Sequence, residues 1–119
     1  DAFDYEELLE RCCASESLAK KLLIKFCDQS RSSIDQIREQ IEQQDAAQAR
    51  AIAHDLKGAA GSMAASCVQR IAEQLEAALK QEDLATAAEQ LETLENRRAE
   101  YVSCVRTKIP DLPLEAGIV

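Results

Sequence analysis

Proline is absent from residues 1–109 of this 119-residue chain, and its two prolines, Pro110 and Pro113, lie near the end. Because proline breaks helix interiors, a stretch this long without one favours continuous helices. Hydrophobic residues make up 46% of the chain but aromatic residues only 3%. A core must therefore consist mostly of Leu, Ile, Val and Ala. These features predict an all-α fold in a single domain and disfavour a β fold.

The spacing of apolar residues predicts a short helix first. A first helix is predicted over residues 3–13, where Phe3, Leu8, Leu9 and Cys12 share a face. Ser15 and Ser17 offer N-caps for the next helix. We interpret the polar stretch DQSRSS at 28–33 as the end of one helix and the start of another; the alternative is a solvated middle of one long helix.

Two aspartates mark the starts of later helices. Asp45 suits the N-cap of a helix running to about Ser62, and Asp83 suits the N-cap of a last helix through about Lys108. A further amphipathic helix is predicted over 64–81. The connections are short, so neighbouring helices should be antiparallel. The prediction is an up-and-down antiparallel four-helix bundle with a short additional N-terminal helix over 1–109, followed by a loosely held, irregular tail over 110–119.

The charge balance excludes several classes of partner. Lys and Arg number 14 against 22 Asp and Glu, for a net charge of -8, with no basic run. Nucleic acid and direct membrane contact are therefore not expected. No apolar stretch approaches the roughly 20 residues of a membrane span. Because the first residues lack the basic, apolar and small-residue order of a signal peptide, we do not expect them to act as one. The chain starts with Asp rather than Met, so we expect a module of a larger protein.

The cysteine pattern predicts no metal site. The five cysteines form no CxxC pair and accompany a single histidine, so they lack zinc spacing. We expect reduced, apolar side chains and no metal or cofactor. The adjacent pair Cys12-Cys13 has no assigned role.

The stretch AHDLKGAAGSMAA at 53–65 holds the only histidine, His54. With 100° per residue and Ile52 at zero, Leu56 lies at about 40° and His54 at about 200°. Core residues cluster on the side of Ile52 and Leu56. The imidazole is therefore predicted to face away from the core.

The neighbours of His54 on this wheel are basic or small. Arg50 at i-4 and Lys57 at i+3 reach over the same patch. Ala47, Ala51 and Gly58 flank it at about 220° to 260°. Two alternatives without a binding or catalytic role remain open. The strip of small residues packs against a neighbouring helix, or the histidine is a surface residue with no function.

Gly58 and Gly61 should each lower the stability of the helix by about 0.5–1 kcal/mol relative to Ala. Space near the imidazole would offset this cost by letting a partner approach. Lys57 supplies a cation where an anion on the ring would lie. The pattern suits a phosphoryl group on a histidine nitrogen.

A histidine nucleophile benefits from a carboxylate that fixes its tautomer. If helix 64–81 returns antiparallel around a turn near Ala65, residue 54 lies opposite Glu76. The estimate is coarse by one turn, so Glu73 and Gln69 are alternatives.

The stretch AHDLKGAAGSMAA resembles the His-x-Leu-Lys-Gly-small-small motif of the histidine-containing phosphotransfer (HPt) domains of bacterial phosphorelays. The matching residues are His54, Leu56, Lys57, Gly58, Ala59 and Ala60. The resemblance covers the chain to about residue 107. It departs where Ala64-Ala65 follows Met63 in place of Gly-Ala, so the next turn should be shaped differently.

The resemblance implies a carrier rather than an enzyme. It implies that His54 accepts a phosphoryl group from a receiver-domain aspartate and passes it to another receiver, with Lys57 neutralising phosphate and Glu76 orienting the ring. Gly58 would permit docking, together with Gly61, Ala47, Ala51 and Arg50. Mg²⁺ is expected on the partner receiver only.

Because the chain does not begin with Met, we expect it to be a module of a hybrid sensor kinase rather than a stand-alone relay protein. We expect a cytoplasmic, monomeric domain, whose parent protein can be anchored in the inner membrane. Two alternatives are kept. One is a non-catalytic helical adaptor that docks a partner through the Ala/Gly strip. The other is a thiol or metal enzyme, which needs a cysteine beside His54.

Overall fold

The computed structural model describes residues 2–114, whose regular structure is entirely helical. The helices are α1 (Tyr5–Arg11), α2 (Glu16–Glu42), α3 (Ala46–Ser62), α4 (Ser66–Lys80) and α5 (Leu84–Lys108). No strand occurs within the described residues. The predicted all-α class is confirmed.

Side-chain caps start most of these helices. Asp4, Ser15, Asp45 and Asp83 each accept a hydrogen bond from the backbone N–H three residues later. Such a bond satisfies one of the unpaired donors of a helix start. The predicted caps Ser15, Asp45 and Asp83 are thus confirmed. Helix α4 differs, because Ala65 stands at its N-cap and offers no side-chain bond.

The predicted break at residues 28–33 is wrong, because α2 continues through this stretch. Ser30 is buried; its hydroxyl donates to the Cys27 carbonyl and accepts from Arg98 Nε at 2.8 Å. The Ser32 hydroxyl accepts from the Gln36 amide at 3.0 Å, one turn further along the same helix. The polar side chains find partners without leaving the helix, and the stretch contains no Gly or Pro to interrupt it.

The ends of the chain differ from the sequence prediction in detail. Helix α1 covers Tyr5–Arg11 rather than 3–13, and Phe3 is fully buried ahead of it. Residues 110–114, the described part of the predicted tail, are irregular, but Leu112 is 8% exposed and belongs to the core. The prediction of a loosely held tail is therefore wrong at Leu112. Residues 115–119 lie outside the described residues.

The core lies between α2, α3, α4 and α5. Helix α2 packs against α3 and α5, and α4 packs against α3 and α5, while α1 contacts α2. Tyr101 is fully buried, and the rings of Phe3 and Phe26 pack edge-on against its ring. Their ring centroids lie 5.4 and 5.5 Å from the Tyr101 centroid. The Tyr101 hydroxyl donates to the Met63 carbonyl at 3.3 Å, at the C-terminal end of α3.

Three of the connections share one form, in which a single non-glycine residue takes a left-handed conformation. Gln44, Ala64 and Glu82 have φ of 60°, 56° and 57°. In the α3–α4 connection, the Ala65 N–H donates to the Ala60 carbonyl and the Ala64 N–H to the Gly61 carbonyl. These are the bonds of a Schellman motif, which usually uses glycine at this position.

Replacing Ala64 by Gly is expected to raise the free energy of unfolding by about 0.5–1 kcal/mol, because the left-handed conformation is costly for Ala and free for Gly. Urea denaturation measures the change. The matched control is Ala88→Gly on the exposed face of α5, which should lower the free energy of unfolding by about 1 kcal/mol. Destabilisation by Ala64→Gly would contradict the strain argument.

Candidate functional site

His54 lies on the solvent side of α3. The buried residues of this helix are Ala49, Ala53, Leu56 and Ala60, on its other side. The His54 side chain is 63% exposed. The prediction that the imidazole faces away from the core is confirmed.

A carboxylate from α4 fixes one nitrogen of the ring. Glu76 Oε2 lies 2.8 Å from His54 Nδ1. The structure therefore brings Glu76, and neither of the alternatives Glu73 and Gln69, against the imidazole. Both of those side chains lie on the exposed surface of α4. The estimate of an antiparallel return near Ala65 thus selected the correct turn of α4.

Lys57 contacts the same carboxyl group. Its Nζ lies 2.8 Å from Glu76 Oε1, so Glu76 bridges the lysine and the histidine with its two oxygens. Only 16% of the Glu76 side chain and 27% of the Lys57 side chain are exposed. The sequence placed Lys57 near His54 but did not predict its contact with Glu76.

The hydrogen bond from Lys57, and then that from His54, lower the pKa of the Glu76 carboxyl below its ordinary value, against the opposing effect of partial burial. At neutral pH Glu76 is therefore ionised and can only accept. His54 Nδ1 must then carry the hydrogen that it donates, and a neutral ring keeps its lone pair on Nε2. In that tautomer the Nε2 lone pair is available for bonding.

Glu76→Gln is expected to lower the free energy of unfolding by about 1–2 kcal/mol at pH 7, the range for a hydrogen-bonded charge that is partly exposed. The folded-state pKa of Glu76 is lowered, so its contribution is complete above the ordinary Glu pKa of about 4.3 and is lost as pH falls through the folded-state value.

Urea denaturation at pH 7 and at successively lower pH measures this difference. Wild type and Glu76→Gln should converge in acid. Glu73→Gln, one turn earlier on the exposed side of α4, is the matched control and should change little at any pH. A stability difference for Glu76→Gln that does not vary with pH would contradict the ionised bridge.

The strip beside His54 is exposed and small. Ala47, Ala51 and Gly58 are exposed, as is Arg50. A Cβ built on Gly58 would meet no atom within 4 Å, so the space beside it is open. The alternative in which this strip packs against a neighbouring helix of the domain is not observed.

Gly61 has different surroundings. A Cβ at this position would lie 2.7 Å from Gln69 Nε2 on α4. Its carbonyl accepts a hydrogen bond from the Arg11 guanidinium, which also pairs with Glu7. Gly61 thus lies at a junction of α1, α3 and α4. Sequence reasoning missed Arg11, because a contact across 50 residues leaves no local pattern.

Residues 2–114 contain no group of three His, Cys, Asp or Glu side chains able to hold a metal ion. None of the cysteines in residues 2–114 forms a disulfide; Cys12 and Cys27 are buried, and Cys13 is exposed.

The fold and site define a helical bundle that presents one carboxylate-bound histidine to solvent. A model of the Hpt domain family matches residues 21–103, more than two thirds of the chain. The chain belongs to the Hpt domain family. Hpt domains carry out histidine phosphotransfer in phosphorelays, interact with response-regulator receiver domains and act as phosphocarriers rather than catalysts.

Two further comparisons gave no relatives. Neither the curated proteins nor the solved structures contain a match to this chain. Within residues 2–114, none of the helices is both long and apolar enough to cross a bilayer.

Proposed function

We propose that His54 accepts a phosphoryl group from the phosphorylated aspartate of one receiver domain and passes it to another receiver. The observation that carries this proposal is the 2.8 Å contact between Glu76 Oε2 and His54 Nδ1, on a ring that remains largely exposed. The carboxylate makes Nε2 the reacting nitrogen, and the exposure lets a partner reach it. Transfer then requires mainly positioning and charge neutralisation.

The other predicted site residues take supporting roles in this proposal. Lys57 would neutralise charge on the phosphoryl group, and the open space at Gly58 would admit the backbone of the partner. Ala47, Ala51 and Arg50 would form the surrounding docking surface. Gly61 was predicted to join them, but its contacts with Gln69 and Arg11 favour a role in packing. No cofactor is proposed in this domain; Mg²⁺ would be held by the receiver.

The up-and-down order of α2 to α5 is also part of the proposal. Between α3 and α4, Gly61 faces Gln69 and His54 faces Glu76. Between α2 and α5, Cys27 contacts Arg98, and Lys20, earlier in α2, pairs with Asp111 beyond the end of α5. Both sets of pairs favour antiparallel neighbours. We further propose a monomeric, cytoplasmic module of a hybrid sensor kinase.

The test is incubation with a receiver domain that carries a labelled aspartyl phosphate. We expect label on this chain that is stable in base and labile in acid, as a phosphorus–nitrogen bond requires. Absence of label, or label that base removes, would refute the proposal.

The alternative is a helical adaptor that binds its partner through the exposed strip of Ala47, Ala51 and Gly58. It predicts partner binding without any transfer of label. Binding and transfer measured on the same pair of proteins distinguish the two functions.

A further inference from the structure

Lys57 already has a charge partner before any phosphoryl group is present. Lys57 Nζ is held at 2.8 Å by Glu76 Oε1, while Glu76 Oε2 holds His54 Nδ1 at the same distance. One carboxylate therefore has two partners before any reaction. Binding of a phosphoryl group by Lys57 must compete with this ion pair.

Phosphorylation changes the charges that meet at this carboxylate. When the lone pair of Nε2 forms a bond to phosphorus, Nδ1 keeps its hydrogen and the imidazole ring becomes a cation. The phosphoryl group brings close to two negative charges. The site then contains two cations, the ring and Lys57, and two anionic groups, Glu76 and the phosphoryl group.

We propose that Lys57 leaves Glu76 for the phosphoryl group when His54 is phosphorylated, and that the cationic ring replaces Lys57 as the charge partner of Glu76. In each state every anion then has a cation beside it, and the Glu76–Nδ1 hydrogen bond persists throughout. Lys57 thus acts first as a positioning residue for Glu76 and afterwards on the phosphoryl group. The inference rests on the proposed phosphorylation of His54.

The local geometry permits the exchange. Lys57 lies at i+3 from His54, so both side chains extend over the same face of α3. The ammonium has three donors on a flexible stem. Its side chain is partly exposed at 27%, which leaves it room to move, whereas Glu76, at 16%, is more enclosed.

The exchange is tested by NMR near pH 7 with phosphoramidate as a small phosphoryl donor, which needs no receiver. Nε2 attacks phosphorus, the phosphorus–nitrogen bond of phosphoramidate breaks, and ammonia leaves. Scalar couplings across hydrogen bonds identify the partner of the Lys57 ammonium nitrogen. We expect coupling to the Glu76 carboxyl carbon before reaction, and coupling to ³¹P in its place afterwards.

The outcomes separate the two proposals. No phosphohistidine signal in the ³¹P spectrum would refute the phosphorylation of His54 itself. A phosphohistidine signal with Lys57 still coupled to Glu76 would overturn the exchange alone.

Variants of Lys57 give a second measurement. Lys57→Met should slow phosphorylation by phosphoramidate about tenfold, the range for one charge-assisted hydrogen bond. Lys57→Arg should restore most of the rate. The matched control is Lys21→Met, which removes the same charge from an exposed position of α2. This variant should react at the wild-type rate. An unchanged rate in Lys57→Met would overturn the exchange.

Discussion

His54→Gln is expected to reduce phosphoryl uptake to background and to leave the fold intact. The chain contains no other histidine that could take over. The glutamine amide can still donate to a carboxylate, but it has no nucleophilic ring nitrogen. The His54 side chain is 63% exposed and contacts Glu76 through one hydrogen bond, so the loss of stability should stay below about 1 kcal/mol.

Two donors make this result decisive. A phosphorylated receiver tests docking and transfer together, whereas phosphoramidate tests the nucleophile alone. Both should fail with His54→Gln, while urea denaturation confirms a folded protein. Label that persists on the variant would place the phosphoacceptor elsewhere and remove the basis of the proposed function.

The position of Glu76 could be predicted from the sequence because it depends on two local quantities. The helical repeat fixes which way His54 points, and a short connection fixes where the next helix returns. Opposed positions in the two helices then follow by counting. The contact between His54 and Glu76 agrees with that count.

The continuity of α2 could not be predicted in the same way. Ser30 is polar and lies in a polar stretch, which suggests a break, yet it is buried and bonded to Arg98 on α5. The partner lies 68 residues away, so no local pattern identifies it. The contact of Arg11 with the Gly61 carbonyl is a similar case. Long-range hydrogen bonds of this kind override the local preferences of a sequence.

Tyr101→Ala is expected to lower the free energy of unfolding by about 3–5 kcal/mol, the largest effect on stability expected here. This is the usual loss when a large buried aromatic side chain is removed. Tyr101 is fully buried, and its ring contacts Phe3 ahead of α1 and Phe26 on α2. The substitution would leave a cavity where three parts of the chain meet. Urea denaturation measures the loss.

The hydroxyl of Tyr101 can be separated from its ring. Burial raises the pKa of the phenol, so the hydroxyl stays a neutral donor to the Met63 carbonyl. Tyr101→Phe keeps the ring and should cost only about 1 kcal/mol for the lost hydrogen bond. Leu18→Ala, at a position 45% exposed, controls for loss of apolar volume and should change stability by no more than about 0.5 kcal/mol. Equal losses in Tyr101→Phe and Tyr101→Ala would show that the hydrogen bond at the end of α3, and not the packing of the ring, dominates the stability that Tyr101 provides.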